Sequence, residues 1–469
     1  VSRPNYISIP FHLSRRHPSA SQTLIPHHPH RSTAMTDVRP GWVMLDGFVF
    51  IRGANTSLPE KGYRPLRAQG TTSQGVNFDI ALCLADPPDT SRLYVLSPSD
   101  ASPDTACDIL AAHGNHFLFV ITYFLRSHET SNLRCYQDPF ICSVISRDLP
   151  PLLKRLPAHT EPLIARKVDG AEITLQRLFF PGDAGLLCRD EQVFAVAQLD
   201  QLIPISDSNR SEAEIVVLNT DGKDDDAMWE VKRLPILHPN REKLDISPWS
   251  TDTVISFKNY ICWVDYCMGG ILFFDAFKGR PDISYLDLPP VQGPPPDHPP
   301  VGRGYLQMYR GVSVTDEGRL LKFVHVDRID GELVGPSDSG YTITSHTLEI
   351  TEDGDMGWVQ DDIMHSDPVL PSFRTRYDFS ILKFPLVSMD DAHVVHFQYS
   401  EATNDGHYKI SVVTVDMKTK ALLSTHPYIK AEDRLGEDAD MYEFKYCKLK
   451  SFLPIKFPMS VTRKRKLLD

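Results

Sequence analysis

The sequence predicts an all-β, β-propeller-like fold of about six four-stranded antiparallel blades, with one short helix and long loops. Strand-like segments around Gly269 and Gly270 are apolar on both alternating faces, whereas an ordinary antiparallel sheet leaves one face in water. A propeller blade is packed between its two neighbours, which accounts for such strands. The 37 prolines and 26 glycines are spread through the chain as turn residues, and repeated blades can place all 469 residues around one axis.

Residues 261–289 carry the strongest strand pattern. The apolar runs 261–265 and 271–274 flank Gly269 and Gly270, and a third run follows at 284–288. Glycine supplies the positive φ that a tight hairpin needs, so these runs predict three consecutive antiparallel strands. Residues inside these apolar runs are expected to form the core between blades, Trp263 and Phe273 among them.

The domain boundaries follow from composition. Residues 1–34 contain no acidic residue and are expected to form a disordered extension, either because Met35 is the true start or because the segment is an organelle transit peptide. Residues 35–461 are expected to form a single β-propeller-like domain. Residues 462–469 form a basic tail.

The first third of the chain predicts five strands and one helix. The predicted strands are 42–51, 76–84, 92–96, 117–124 and 140–145. The helix is predicted over Asp104–His113, with Asp104 as the N-cap, Ile109 and Leu110 on an apolar face and Gly114 as the C-terminal stop. A proline-rich linker is expected at Leu149–Pro162.

The rest of the chain predicts a series of hairpins. Their strands are 185–188 with 193–199, 214–218 with 228–234, 312–314 with 320–326, 341–350 with 356–360, and 409–415 with 421–425. Pooling all segments gives on the order of 23 strands, or about six blades. Trp229, Tyr285 and Trp358 recur near the ends of the expected blades.

Charge and cysteine usage narrow the class of protein. A formal net charge of −12 argues against a nucleic-acid-binding body, which needs a surplus of lysine and arginine. The eight cysteines form no CxxC pair, so we expect reduced thiols in an intracellular, soluble protein, cytoplasmic or nuclear. The most apolar run, 117–125, is too short to span a bilayer. No membrane association is expected, and the protein is expected to be a monomer.

Three motifs contain residue types that could carry chemistry. His113 and His116 suggest either a metal site or a charge-compensating role at the end of the predicted helix, and no further ligands are close in sequence. The acidic stretch 221–226 suggests calcium binding, but Lys223 stands where a ligand is needed, which favours a solvated loop. Residues 335–340 approach the G-x-S-x-G motif without its spacing. We therefore predict no catalytic residues, no metal site and no cofactor.

Two residue groups carry alternative interpretations. Trp229, Trp263 and Trp358 are expected in the core between blades, the alternative being an aromatic ligand cage. The tail residues Arg463, Lys464, Arg465 and Lys466 match a nuclear-import signal, the alternative being a solvated basic tail.

Several segments together resemble a known family. They are residues 78–91, the hairpin from Trp263 through Gly269 and Gly270 to Asp275 with Leu288-Pro289, and residues 345–358. In combination they resemble the plant family, expanded in grasses, called domain of unknown function 1618. The resemblance runs from Trp42 to about Leu449, and it implies no established activity. The central hairpin also resembles blades of F-box-associated and kelch-like propellers, which bind partner proteins, although no F-box precedes it.

These observations predict a non-catalytic β-propeller that binds an unknown protein partner through loops on a rigid scaffold. The alternative is a small-ligand-binding or hydrolytic propeller with its site at the channel mouth. A pocket of several hundred Å³ with clustered carboxylates and histidines at that mouth would favour the alternative. A flat apolar patch of loops would favour the protein partner.

Overall fold

The computed structural model describes most of the chain between residues 41 and 457. The described residues are 41–55, 57–58, 64–97, 105–126, 133–158, 166–168, 171–173, 177–190, 192–205, 211–221, 228–237, 246, 248–291, 303–329, 331, 340–351, 355–365, 382–402, 408–428 and 450–457. Pro40–Asp469 forms one compact unit. The second unit, Val1–Arg39, lies outside the described residues, as do the predicted extension 1–34 and the tail 462–469.

The described residues contain 27 strands and one short α-helix. The first ten strands are β1 (Trp42–Gly53), β2 (Leu66–Thr71), β3 (Asn77–Cys83), β4 (Thr90–Ser97), β5 (Thr105–His113), β6 (His116–Arg126), β7 (Leu133–Ser143), β8 (Leu152–Arg155), β9 (Arg166–Val168) and β10 (Ala171–Ile173). The next eight are β11 (Ala184–Cys188), β12 (Phe194–Pro204), β13 (Ser211–Asn219), β14 (Trp229–Leu237), β15 (Thr253–Phe257), β16 (Tyr260–Asp265), β17 (Gly270–Asp275) and β18 (Ile283–Asp287). The helix α1 (Arg303–Tyr309) precedes β19 (Arg310–Thr315), β20 (Leu320–Arg328), β21 (Tyr341–Ile350), β22 (Met356–His365), β23 (Lys383–Val387), β24 (Val394–Ala402), β25 (Tyr408–Asp416), β26 (Ala421–Pro427) and β27 (Leu453–Lys456).

The strands form antiparallel sheets that follow the order of the chain. Sheet II is β5–β8, sheet III β11–β14, sheet IV β15–β18, sheet V β19–β22 and sheet VI β23–β26. Sheet I differs because it combines both ends of the described chain, in the order β2-β3-β4-β1-β27. Two further pairings link neighbouring sheets: β1 bridges to β5 of sheet II, and β14 of sheet III runs parallel to β18 of sheet IV. In sheet I, β1 runs parallel to β4 and antiparallel to β27. The strands β9 and β10 form a separate hairpin.

Buried side chains join each sheet to the next. One apolar cluster lies between sheets I and II, and further clusters join II to III, III to IV, IV to V and V to VI. Another cluster joins sheet VI back to sheet I through Phe384 and Leu386 of β23 and Trp42 and Met44 of β1. The fold is therefore all-β and β-propeller-like, and the double-sided strands arise because sheets cover both faces.

The predicted helix at Asp104–His113 is wrong, because residues 105–113 form the strand β5. Its apolar residues serve two interfaces: Cys107 and Ile109 face sheet I, while Leu110 and Ala111 face sheet III. A β-bulge between Ile109 and Ala111 puts apolar residues side by side, which imitates the apolar face of a helix. The short helix of the described chain is α1, and the predicted linker at 149–162 contains β8.

Glycine allows a close approach between the inner strands of sheets V and VI. A Cβ atom added at Gly311 of β19 would lie 2.2 Å from the carbonyl oxygen of Pro385 in β23. Because that oxygen belongs to the backbone, we expect Gly311→Ala to lower the free energy of unfolding by about 1–3 kcal/mol. Gly357→Ala is the control, since an added Cβ there meets no atom within 4 Å. Equal urea midpoints for the two variants would contradict the prediction.

Candidate functional site

The hairpin between β16 and β17 is held by a buried carboxylate. Asp265 is fully buried, and its Oδ1 accepts hydrogen bonds from the backbone N–H groups of Cys267 (2.8 Å) and Met268 (2.7 Å). Gly269 has a φ of +72°, as the turn requires, and a Cβ atom at Gly270 would collide with the ring of Tyr285 at 2.5 Å. Asp265, Gly269 and Gly270 therefore shape the hairpin.

The structure places Trp263 and Phe273 on opposite faces of sheet IV. Trp263 is fully buried against sheet III, where its Nε1 donates a hydrogen bond to the carbonyl oxygen of Asp183 at 2.8 Å. Phe273 packs into the cluster between sheets IV and V, with an edge-to-face contact to Tyr260. Both side chains contribute to packing between sheets.

Trp229 and Trp358 occupy equivalent positions on outer strands. In each case the indole N–H donates to a backbone carbonyl oxygen near the end of the outer strand of the preceding sheet: Trp229 to Pro157 at 2.7 Å and Trp358 to Asp287 at 2.9 Å. Both side chains are partly buried. Trp229, Trp263 and Trp358 lie in three different interfaces, so the structure does not bring them together as an aromatic cage.

His113 and His116 flank the two-residue turn between β5 and β6, so the predicted role at a helix end is wrong. The Nδ1 atom of His113 accepts a hydrogen bond from the backbone N–H of Cys188 at 3.0 Å. Burial lowers the pKa of His113 to about 4, which keeps the ring neutral. Within the described ranges, no three His, Cys, Asp or Glu side chains are grouped as metal ligands.

Other motifs from the sequence lie mostly outside the described residues. Asp221 is described and pairs with Arg189 at 3.0 Å, which fits a solvent-exposed loop, whereas residues 222–226 are outside. Residues 335–339 and the tail residues Arg463, Lys464, Arg465 and Lys466 are also outside. No helix in the described part of the chain is long and apolar enough to span a membrane.

A central cavity of about 690 Å³ lies where the inner strands of the sheets converge. Its walls come from β5, β15, β19, β23 and β27 and from the residues just before β11 and β19. Among its polar lining residues are Asp252, Tyr266, Gln307 and Arg310, which lie at or near the starts of β15 and β19 or in the β16–β17 turn. These residues are distant in sequence, and no sequence motif links them.

Hydrogen bonds connect the polar residues of this cavity to one another. An Oδ2 atom of Asp252 accepts a hydrogen bond from the backbone N–H of Tyr266 at 2.7 Å, and the Nε2 of Gln307 donates to the carbonyl oxygen of Asp252 at 3.0 Å. Arg310 donates from a guanidinium nitrogen to the carbonyl oxygen of Tyr266. The hydroxyl of Tyr266 accepts from the backbone N–H of Val312 at 3.0 Å, and burial raises its pKa.

Asp183 lies beside this cavity and has a raised pKa. It follows Gly182, which lines the cavity, and burial together with the charge of Asp200 raises its pKa to about 6. Asp200 in turn pairs with Arg177 at 3.0 Å.

The fold and the cavity define a β-propeller-like all-β protein with a central pocket. Residues 263–396 match the model of a family described as "Protein of unknown function (DUF1618)", which confirms the predicted resemblance over this segment. No curated protein matches the chain.

Among the solved structures that are similar to this chain, three illustrate how weak the similarity is. A GH43_1 enzyme from Xanthomonas citri has 10% identity and a TM-score of 0.27, with 65% of this chain and 93% of the other covered. The RS223 β-xylosidase has 11% identity and a TM-score of 0.27, with 68% and 95% covered. A putative 6-phosphogluconolactonase from Bacteroides uniformis has 10% identity and a TM-score of 0.26, with 78% and 98% covered. Similarities this weak carry no argument about the chemistry of this chain.

Proposed function

We propose that the chain is a six-bladed β-propeller that binds a small ligand in its central cavity without catalysing a reaction. Sheets I–VI correspond to the six blades, and β27 completes the blade that β1–β4 begin. The finding that carries the function is the cavity of about 690 Å³, which falls in the usual range for small-molecule sites and is lined by polar and charged groups as well as apolar side chains.

The chemistry of the described residues favours binding over hydrolysis. Asp252 and Asp265 both accept backbone hydrogen bonds, so these carboxylates stabilise loops. Asp183 has a raised pKa, yet no described nucleophile is hydrogen-bonded to a base beside it. The polar groups at the cavity are therefore suited to orienting a bound ligand and not to cleaving it.

A substitution that fills the cavity tests this function, because it should prevent ligand binding. Gln307 lines the cavity, so Gln307→Trp should fill part of it, whereas Gln360→Trp places the same group on the exposed face of β22. A small-molecule library would be screened against the full chain by saturation-transfer NMR. We expect ligands whose signals are lost with Gln307→Trp and retained with Gln360→Trp. The proposal fails if no ligand binds, or if every ligand binds Gln307→Trp as well as the wild type.

The protein-partner function expected from the sequence remains a second candidate. The specific feature in its favour is the edge strand β26, where Leu422 and Leu423 are 37% and 53% exposed. An edge strand with exposed apolar side chains can pair with a partner chain. Many of the connecting segments that would form a loop surface lie outside the described residues. Capture of a specific partner by the wild type, lost with Leu422→Lys and Leu423→Lys together, would support this function.

A further inference from the structure

Arg310 has an unusual position in the wall of the central cavity. It is the first residue of β19 and is partly buried, and its hydrogen bond is made to a neutral acceptor, the carbonyl oxygen of Tyr266. Among the described residues, no carboxylate lies within ion-pair distance of its guanidinium group. Most partly buried arginines are paired, so this one is available to a ligand.

Two carboxylates that attract Arg310 electrostatically, Asp252 and Asp327, form their contacts with other groups. Asp252 accepts the backbone N–H of Tyr266 at 2.7 Å, and Asp327 contacts the Nε2 of His325 at 3.0 Å. Burial lowers the pKa of Arg310, and the attraction of Asp327 does not offset that effect. Neither Asp252 nor Asp327 therefore forms an ion pair with the guanidinium group of Arg310.

Once pairing is taken into account, the other charges of the cavity wall balance, and Arg310 supplies the excess positive charge. The wall's other charged lining residues are Lys258, Lys450 and Lys456 against Asp252 and Glu317. Lys450 is paired with Asp108 at 3.0 Å, which leaves the wall with more positive than negative charge in a chain whose net charge is −12. A planar guanidinium can donate two parallel hydrogen bonds to a carboxylate or a phosphate group.

We propose that the central cavity binds a small organic anion through a carboxylate or phosphate group held by Arg310. This inference rests on the proposed ligand-binding function and specifies the class of ligand. Carboxylates and phosphate esters share the required geometry, so the probes separate them. Citrate represents the carboxylates, glycerol 3-phosphate represents the phosphate esters, and glycerol is the uncharged counterpart of the latter.

Isothermal titration calorimetry of the full chain tests the anion site. We expect citrate or glycerol 3-phosphate to bind the wild type and glycerol not to bind. Arg310→Gln should weaken binding roughly tenfold or more, because a charge-assisted hydrogen bond is lost. Arg310→Lys keeps the charge without the planar fork and should weaken binding less. Arg319→Gln is the matched control, because it removes one charge from an exposed arginine of the same hairpin and should leave binding unchanged.

The outcomes separate this inference from the function on which it rests. If both anions bind Arg310→Gln as tightly as the wild type, or if neither anion binds the wild type, the anion site is wrong. Uncharged ligands that bind the wild type but not the Gln307→Trp variant would then still support the cavity as a binding site. Thermal melting of each variant shows whether a loss of binding reflects unfolding. If Arg310→Gln does not fold, the affinity of the Arg310→Lys variant is compared with that of the wild type instead.

Discussion

Trp263→Ala is expected to lower the free energy of unfolding by about 3–5 kcal/mol, the usual cost of deleting a buried aromatic side chain. Trp263 is fully buried between sheets III and IV, and it packs 5.9 Å from the ring of Phe274. The variant also leaves the carbonyl oxygen of Asp183 without the indole N–H that it accepts at 2.8 Å. Urea unfolding followed by far-UV circular dichroism measures the loss.

Trp358→Ala is the comparison for this prediction. Trp358 makes the same kind of indole hydrogen bond but is only partly buried at the outer edge of its sheet, so it should cost less than Trp263→Ala. If Trp263→Ala left the unfolding midpoint unchanged, the packing of sheet IV against sheet III would not contribute to stability as described.

The second large effect is expected at a buried charged group between sheets VI and I. Asp46 and Arg92 are each 1% exposed, with the Arg92 Nε atom 3.8 Å from Asp46 Oδ2. Asp46 also accepts the hydroxyl of Tyr428 and the backbone N–H of Phe48, and Arg92 donates to the carbonyl oxygen of Tyr428 at 2.8 Å. Asp46→Ala leaves the Tyr428 hydroxyl and the Phe48 N–H without their acceptor and the buried Arg92 without its ion-pair partner, so it should cost about 3–5 kcal/mol.

Asp282→Ala is the matched control for Asp46→Ala. Asp282 pairs with Lys278 at 3.1 Å, but both side chains are well exposed, so its removal should cost at most about 1 kcal/mol. Similar urea midpoints for the two variants would show that the group around Asp46 does not stabilise the contact between the two ends of the fold.

The sequence predicted the fold class because double-sided apolar strands leave a clear pattern. Trp263, Phe273 and Gly269 could be assigned from that pattern. The strand β24 was missed because polar residues interrupt it, and these are buried with partners from elsewhere: Gln398 donates to the carbonyl oxygen of Lys450 at 2.6 Å, and His396 lies 3.0 Å from the hydroxyl of Thr414. Such partners cannot be seen in a local window of sequence.

The candidate site was beyond sequence reasoning for a related reason. Asp252, Gln307 and Arg310 come together because the starts of β15 and β19 and the helix α1 meet at one cavity. None of these residues belongs to a motif with fixed spacing, and the segment that holds Gln307 carries no strand pattern. The class of site could be anticipated from the fold, whereas its residues required the arrangement of the sheets.

The pairing of β27 with β1 has a consequence for synthesis of the protein. Residues 453–456 form backbone hydrogen bonds with the first strand of the fold, and Ile455 is completely buried there. Sheets II–VI can assemble as they leave the ribosome, but sheet I lacks a strand until these four residues emerge. A nascent chain halted before residue 453 should therefore remain open to proteases along β1, whereas one released after residue 457 should be protected.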